Sequence, residues 1–215
     1  MSLPTPQYRL SAIRAHDVYE PSEDTFLLID AIEKDIKEIR SRNPKLVLEI
    51  GCGSGVVSTF VHQALGGNVT SMATDLNPNA LDITLETAKL NDIKIDVVRT
   101  DLFAGLENLE GKVDVLLFNP PYVPTEDEPK TNIELTYAGG RTDLLSPSGV
   151  FYLVALHSND IPQLLKHSDR LIASISMERR CGIEHLYILK FLKNPEYSES
   201  SGTTSSPSTS SNTSE

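Results

Sequence analysis

Residues 45–55 read KLVLEIGCGSG. An apolar run, Lys45–Ile50, ends in glycines at 51, 53 and 55, and a helix-like stretch, Gly55–Leu65, follows. A short apolar run stopped by glycine is the pattern of a strand buried on both faces. Glycine at its end lets the backbone adopt positive φ and approach a ligand closely. The helix beyond offers unpaired N–H groups to a polar or anionic group. Gly51, Gly53 and Gly55 are evenly spaced and do not form GxGxxG. Alone, such a loop also fits a dinucleotide site or a plain strand-helix turn.

Working outward, strands and helices alternate. Before the loop, residues 22–40 place Phe26, Leu27, Ile29, Ile32, Ile36 and Ile39 at helical spacing after Pro21. After it, Val69–Thr74 reads as a strand. Pro78–Leu90 reads as a helix, with Asn77 as its cap and Pro78 in its first turn. Lys94–Arg99, Val113–Phe118, Val150–Leu156, Leu171–Met177 and Leu186–Phe191 read as strands, and Ile161–His167 as a short helix. This alternation predicts an α/β, Rossmann-like fold: a mostly parallel sheet covered by helices on both faces. Ligands of such sheets bind outside the carboxyl ends of the strands.

Three further motifs fall at strand ends. Asp75 follows the second strand, where a carboxylate can accept ribose hydroxyls. Asp101-Leu102 follows the third, where a carboxylate or a backbone amide can read an adenine edge. Asn119-Pro120-Pro121-Tyr122 follows the fourth. Its two prolines fix φ, remove two N–H donors and push each preceding residue to extended geometry. The result is a rigid loop with carbonyls available as acceptors. The Asn119 oxygen and a proline carbonyl can accept both hydrogens of a planar –NH2 group, and Tyr122 can pack on the flat group. Such a nitrogen is a weak nucleophile, so positioning must supply much of the rate.

Composition bounds the rest. The chain has 215 residues, is 39% hydrophobic and has two cysteines, Cys52 and Cys181. It can bury a core without disulfides. The five histidines lack ligand spacing, so no metal site is assigned. The start of the sequence carries no signal-peptide pattern, and no run of about 18 apolar residues occurs. Cytosol or nucleus is the default setting. Residues 1–194 read as one catalytic domain. Residues 195–215, thirteen of them Ser or Thr, read as a disordered tail. Net charge is −11, of which the tail's three glutamates supply −3. An acidic body argues against unaided nucleic-acid binding and suits a basic or neutral protein partner.

In this order the motifs resemble class I methyltransferases, and more narrowly the HemK-type glutamine N5-methyltransferases of the eukaryotic and archaeal branch. The resemblance is carried by residues 18–26 (VYEPSEDTF), the glycine loop, residues 74–78 (TDLNP), Thr100-Asp101-Leu102, residues 118–122 (FNPPY) and residues 138–141 (AGGR). It covers roughly residues 16–193. It implies a seven-stranded sheet and S-adenosylmethionine as cofactor. Thr25 and Glu49 to Gly53 would line its methionine part, Asp75 its ribose, and Asp101 and Leu102 its adenine. Asn119 to Tyr122 would hold the substrate amide. The branch methylates the glutamine of the Gly-Gly-Gln loop in class 1 release factors, paired with a small zinc-binding activator subunit. That subunit typically joins the edge strand, here Lys94–Arg99, where Ile93, Ile95 and Val97 alternate and an uncovered apolar edge would be a liability. Lysine methylation of histone H4 and N6-adenine methylation of DNA are alternative activities linked to the branch.

The chain departs from the family at one place. Members follow the Ala-Gly-Gly-Arg motif with a helix of roughly a dozen residues. Here Arg141 runs through Thr142-Asp143 into residues 144–149, LLSPSG. One crossover helix is therefore expected to be missing. Only Lys130–Ala138 remains as a helix candidate, and one face of the fourth and fifth strands is expected to be poorly covered. A catalytically impaired form that only binds the activator subunit is a further reading.

Overall fold

The computed structural model describes residues 3–121, 141–166 and 168–197. A seven-stranded sheet comprises β1 Leu46–Ile50, β2 Thr70–Asp75, β3 Asp96–Arg99, β4 Val113–Phe118, β5 Leu145–Leu156, β6 Leu171–Cys181 and β7 Glu184–Lys193. The order across it is β3-β2-β1-β4-β5-β7-β6. All neighbouring pairs from β3 to β5 are parallel, and β7 lies antiparallel between β5 and β6. The chain steps outward from β1 to β2 to β3, then returns to lay β4 on the other side of β1. This reversal opens a crevice at the carboxyl ends of β1 and β4.

Among the described residues the helices are α1 Leu10–Ala15, α2 Glu23–Ser41, α3 Val56–Ala64, α4 Pro78–Leu90, α5 Arg141–Leu144 and α6 Ile161–Leu165. Right-handed crossovers place α3 and α4 on the same face, and α2 packs beside α3 there. Side chains alternate between the two faces except at the register shift between Val113 and Val115. Val47, Val115, Leu117, Val150 and Val154 meet Leu27, Leu28, Ile32 and Phe60 on the helical face. Leu48, Leu116, Phe118, Phe151 and Leu153 point to the other.

That second face departs from expectation in its cover. Among the described residues it carries no long helix. Leu106, Leu144, Ile161 and Leu164, from a connecting segment, α5 and α6, pack there instead. Strands β4 and β5 are nevertheless not left bare, since Leu116, Phe151 and Leu153 are all fully buried. After Arg141 the chain forms only the single turn of α5. Its carbonyls are used directly: Asp143 and Leu144 accept from the Gly111 and Lys112 amides at 2.7 and 3.1 Å. The helix candidate Lys130–Ala138 lies outside the described residues.

Several boundaries move for identifiable reasons. β5 begins at Leu145, five residues before the expected start, across a register shift opposite Val113 to Val115. Asp114 anchors this irregular start. It accepts from the Ser146 hydroxyl at 2.6 Å and from the Lys45 and Leu46 amides at 2.7 and 3.0 Å. β3 is shorter than Lys94–Arg99, because Lys94 and Ile95 lie ahead of the paired residues. Helix α1 is an addition, held by Ile13 in a small cluster with Val18, Ala80 and Ile83. At the carboxyl end the described chain continues past residue 194 to Tyr197, whose ring lies 5.5 Å from the Arg170 guanidinium carbon. Residues 198–215, most of the expected disordered tail, lie outside the described residues.

A polar lock ties α2 to the far strands. Asp35 accepts from the Tyr152 hydroxyl at 2.8 Å, Lys190 at 3.0 Å and Ser176 at 3.2 Å. Lys190, 9% exposed, also bonds Glu38 at 2.6 Å. On the near side, α3 and α4 approach so closely that only glycine fits at position 55. Its φ is +72°, and an added Cβ would lie 2.7 Å from the Thr84 Cα. Gly55→Ala is therefore expected to cost about 2–3 kcal/mol. Urea unfolding checks this; a loss below about 0.5 kcal/mol would contradict the close approach.

Candidate active site

Gly51, Gly53, Asp75, Asp101, Leu102 and Asn119 lie at or just after the carboxyl ends of β1 to β4, on either side of the point where the strand order reverses. The loop after β1 turns on Gly51 and Gly53, both at positive φ (68° and 50°). A Cβ at Gly51 would lie 3.8 Å from the Phe118 ring, so the ends of β1 and β4 face each other across this loop. The Cys52 amide donates to the Thr74 carbonyl at 3.0 Å, fastening the loop to β2. Cys52 is buried against Thr84, and burial pushes its thiol well above the usual range. It fills the loop and is no nucleophile.

Asp75 ends β2 half-buried. One oxygen accepts from the Gly53 amide at 3.0 Å, the other from the Asn77 amide at 2.9 Å. Each carboxylate oxygen has two lone-pair sites, so both can accept a further hydroxyl while the backbone holds the group still. This fits a ribose diol. Asn77 caps α4 as expected, accepting from the Asn79 amide at 3.0 Å. Beyond β3, Asp101 is exposed and Leu102 holds φ at +52°, a strained value for a branched side chain. The Thr74 hydroxyl donates to the Leu102 carbonyl at 3.3 Å and helps hold that conformation. Strain of this kind concentrates at ligand sites. The glycine loop, the anchored Asp75 carboxylate and the turned backbone at Leu102 fit an adenosyl cofactor.

Glu49 has a structural job. It is 3% exposed and accepts from the Ser58 amide at 2.9 Å and from the Ser58 hydroxyl. A strand carboxyl thus caps the first turn of α3 from outside the helix. Thr25 is likewise buried, its hydroxyl accepting from the Ser22 amide at 3.3 Å to close the first turn of α2.

Asn119 follows β4, with Pro120 buried and Pro121 exposed. Its Nδ2 donates to Asp24 Oδ2 at 2.9 Å. The Tyr19 hydroxyl donates to both Asp24 oxygens, at 3.1 and 3.0 Å. Burial, then the Asp24 carboxyl, pushes the Tyr19 phenol up to about 12. Tyr19 still leaves 56% of its surface exposed at the mouth of the site. Sequence reading assigned Asp24 and Tyr19 no role. Both lie within the VYEPSED run, whose acidic start reads simply as a helix beginning. Tyr122 lies outside the described residues.

Burial drives the Glu49 carboxyl up to about 8, against the pull of the Ser58 hydroxyl and amide and with a smaller push from Asp75. The folded protein then keeps this proton where the unfolded chain, near 4.5, has lost it. The stabilising contribution is complete below about pH 4.5 and drains as pH rises toward 8, by at most about 1.4 kcal/mol per unit. Glu49→Gln cannot ionise. Its Tm relative to the unsubstituted protein is expected to improve steadily from pH 5 to pH 8; a difference that stays flat would remove this account.

Comparison with known proteins agrees with this geometry. The profile of the methyltransferase small domain family matches residues 21–180. A mouse protein, Methyltransferase HEMK2, is 42% identical over 211 residues, covering 89% of this chain and 98% of its own. Those aligned positions exceed what this share of the chain supplies, so the relative carries residues with no counterpart here. The Schizosaccharomyces pombe eRF1 methyltransferase catalytic subunit mtq2 is 36% identical, covering 88% of this chain and 94% of its own. Among solved structures, the E. cuniculi Mtq2-Trm112 complex, described as responsible for methylation of the eRF1 translation termination factor, contains a similar chain. It superposes with a TM-score of 0.63 at 29% identity, covering 83% of this chain and 99% of that one. With its strand order, its crevice and this length of match, the chain belongs to the methyltransferase small domain family, in the HemK-type branch of S-adenosylmethionine-dependent methyltransferases.

Proposed function

We propose that this chain methylates the side-chain amide nitrogen of the glutamine in the Gly-Gly-Gln loop of a class 1 release factor, as the catalytic subunit of a heterodimer. One observation carries the reading: Asn119, ahead of two prolines at the crevice, is held by its amide end to buried Asp24. The names of the fission-yeast and E. cuniculi relatives support the class of substrate, and that of the E. cuniculi complex supports a partner subunit.

S-adenosylmethionine, when bound, supplies an electrophilic methyl group on a sulfonium. Gly51, Gly53, Asp75, Asp101 and Leu102 would hold it, with Thr25 and Glu49 shaping the wall behind. The chain's own task is to orient a weak nucleophile. Asn119 Oδ1 and the Pro120 carbonyl would accept the two amide hydrogens. With both N–H bonds fixed in one plane, the nitrogen presents its lone pair to the methyl carbon. Rigid prolines keep these acceptors from turning away. Tyr122 would pack on the amide plane.

The partner proposal falls on β3. Ile93, Ile95 and Val97 do not form an exposed apolar edge, as the alternation suggested. They turn inward toward Ala88 and Leu81 of α4. Among the described residues the edge offers backbone with no strand partner beside a groove of about 470 Å³, with Leu85, 43% exposed, at its rim. A small zinc-binding activator subunit adding a strand here would cover both. Net charge of −11 gives DNA little reason to bind unaided. The nucleus and the cytosol would both supply such partners.

The chain, co-expressed with its small partner, is to be offered labelled cofactor with release factor, histone H4 and DNA separately. Label is expected on the release factor, and Asn119→Ala should lower kcat about 10²–10³-fold. Label on DNA alone, or undiminished transfer by Asn119→Ala, would overturn the reading. At β3, Leu85→Glu is expected to reduce recovery of the complex at least about tenfold, read by co-purification; full recovery would move the partner elsewhere.

A further inference from the structure

Asn119 reaches the crevice with one end already committed. Its Nδ2 faces Asp24, a carboxyl 3% exposed in the first turn of α2. The oxygens of Asp24 also take the Tyr19 hydroxyl and the Thr25 amide, the latter at 2.7 Å. Every partner found for this carboxyl is a donor, and it lies at the positive end of a 19-residue helix. A carboxylate is an acceptor only, whereas an amide side chain has one donor end and one acceptor end. Asparagine opposite Asp24 must therefore present its –NH2 to α2 and its oxygen the other way. Aspartate at 119 would set two acceptors face to face.

We infer that Asp24 is a positioning residue: it dictates asparagine at 119 and fixes the amide so that Oδ1 is the atom offered to the substrate nitrogen. Tyr19 completes the device from the mouth of the crevice by donating to both Asp24 oxygens. The inference rests on the reading that Asn119 accepts from a substrate –NH2 group. It deepens that reading by assigning the direction of the amide and the residue that sets it.

Because only the pattern of donors and acceptors matters, the pair should be exchangeable. In Asp24→Asn/Asn119→Asp the new amide at 24 donates to the new carboxylate at 119, which keeps an oxygen for the substrate. The test uses the full chain with its co-expressed activator subunit, recombinant release factor and labelled S-adenosylmethionine. Asn119→Asp alone is expected to lower kcat about 100-fold. Asp24→Asn is expected to lower kcat about fivefold by itself, yet to raise the kcat of Asn119→Asp at least about tenfold. A purely structural Asp24 would make Asp24→Asn harmful in both backgrounds, and that result overturns the inference. Thermal unfolding of all four proteins confirms that each is folded. Should the double variant unfold, Tyr19→Phe decides. A three- to tenfold loss in kcat at unchanged KM for both substrates supports the inference, and an unchanged kcat overturns it. Full activity in Asn119→Ala would remove the reading of Asn119 itself, a separate outcome.

Discussion

Helix α2 carries two carboxyls on the side it turns to the sheet, Asp24 buried and Asp35 half-buried, and much of the molecule is arranged around satisfying them. Asp24 in its first turn takes donors from the segment before it and from the end of β4. Asp35, three turns on, takes donors from β5, β6 and β7. Removing either from water is costly unless every lone pair finds a donor. Apart from Tyr19 and Thr25 beside Asp24, the donors come from 95 to 155 positions away, so neither bond set is complete until those strands are in place. The helix thus fixes the carboxyl end of β4, where the proposed chemistry takes place, relative to strands on the other side of the sheet.

The same economy of donors recurs beside the cofactor loop. Asp75 steadies Gly53, Glu49 steadies Ser58, and Thr74 steadies the strained Leu102. Each contact joins a residue at a strand end to backbone outside its own strand. The crevice is built less by side chains reaching a ligand than by side chains holding backbone in shapes a ligand can use. Three glycines at positive φ and one strained leucine are stable only because these neighbours over-determine them.

Elements with strong local signals were legible from sequence alone. β4 coincides with its apolar run, and α4 runs from Pro78 to Leu90 because Asn77 and Pro78 mark its start without ambiguity. The start of β5 was not legible, since Pro147 and Gly149 read as loop. What makes the segment a strand is Asp114, thirty-two residues away, bonding Ser146. Helix α1 has only Ile13 to bury, too little for a periodic pattern. In the site, the identities of Asp75 and Asn119 could be read from their places at strand ends. The link from Asn119 to Asp24 spans 95 residues and leaves no trace in local spacing.

The uneven cover of the sheet bears on how the chain reaches its native state. Strands β1 to β4 and helices α2, α3 and α4 all derive from residues 23–118, and these helices lie on one face of the sheet. Contacts among them are comparatively local, so this half can assemble early. β5 pairs with β4, and with β6 and β7 it brings Tyr152, Ser176 and Lys190, the partners of Asp35. The bonds that shape the cofactor loop and tie Asp24 to Asn119 lie within the first half of the chain, whereas those that clamp Asp35 come from the far strands.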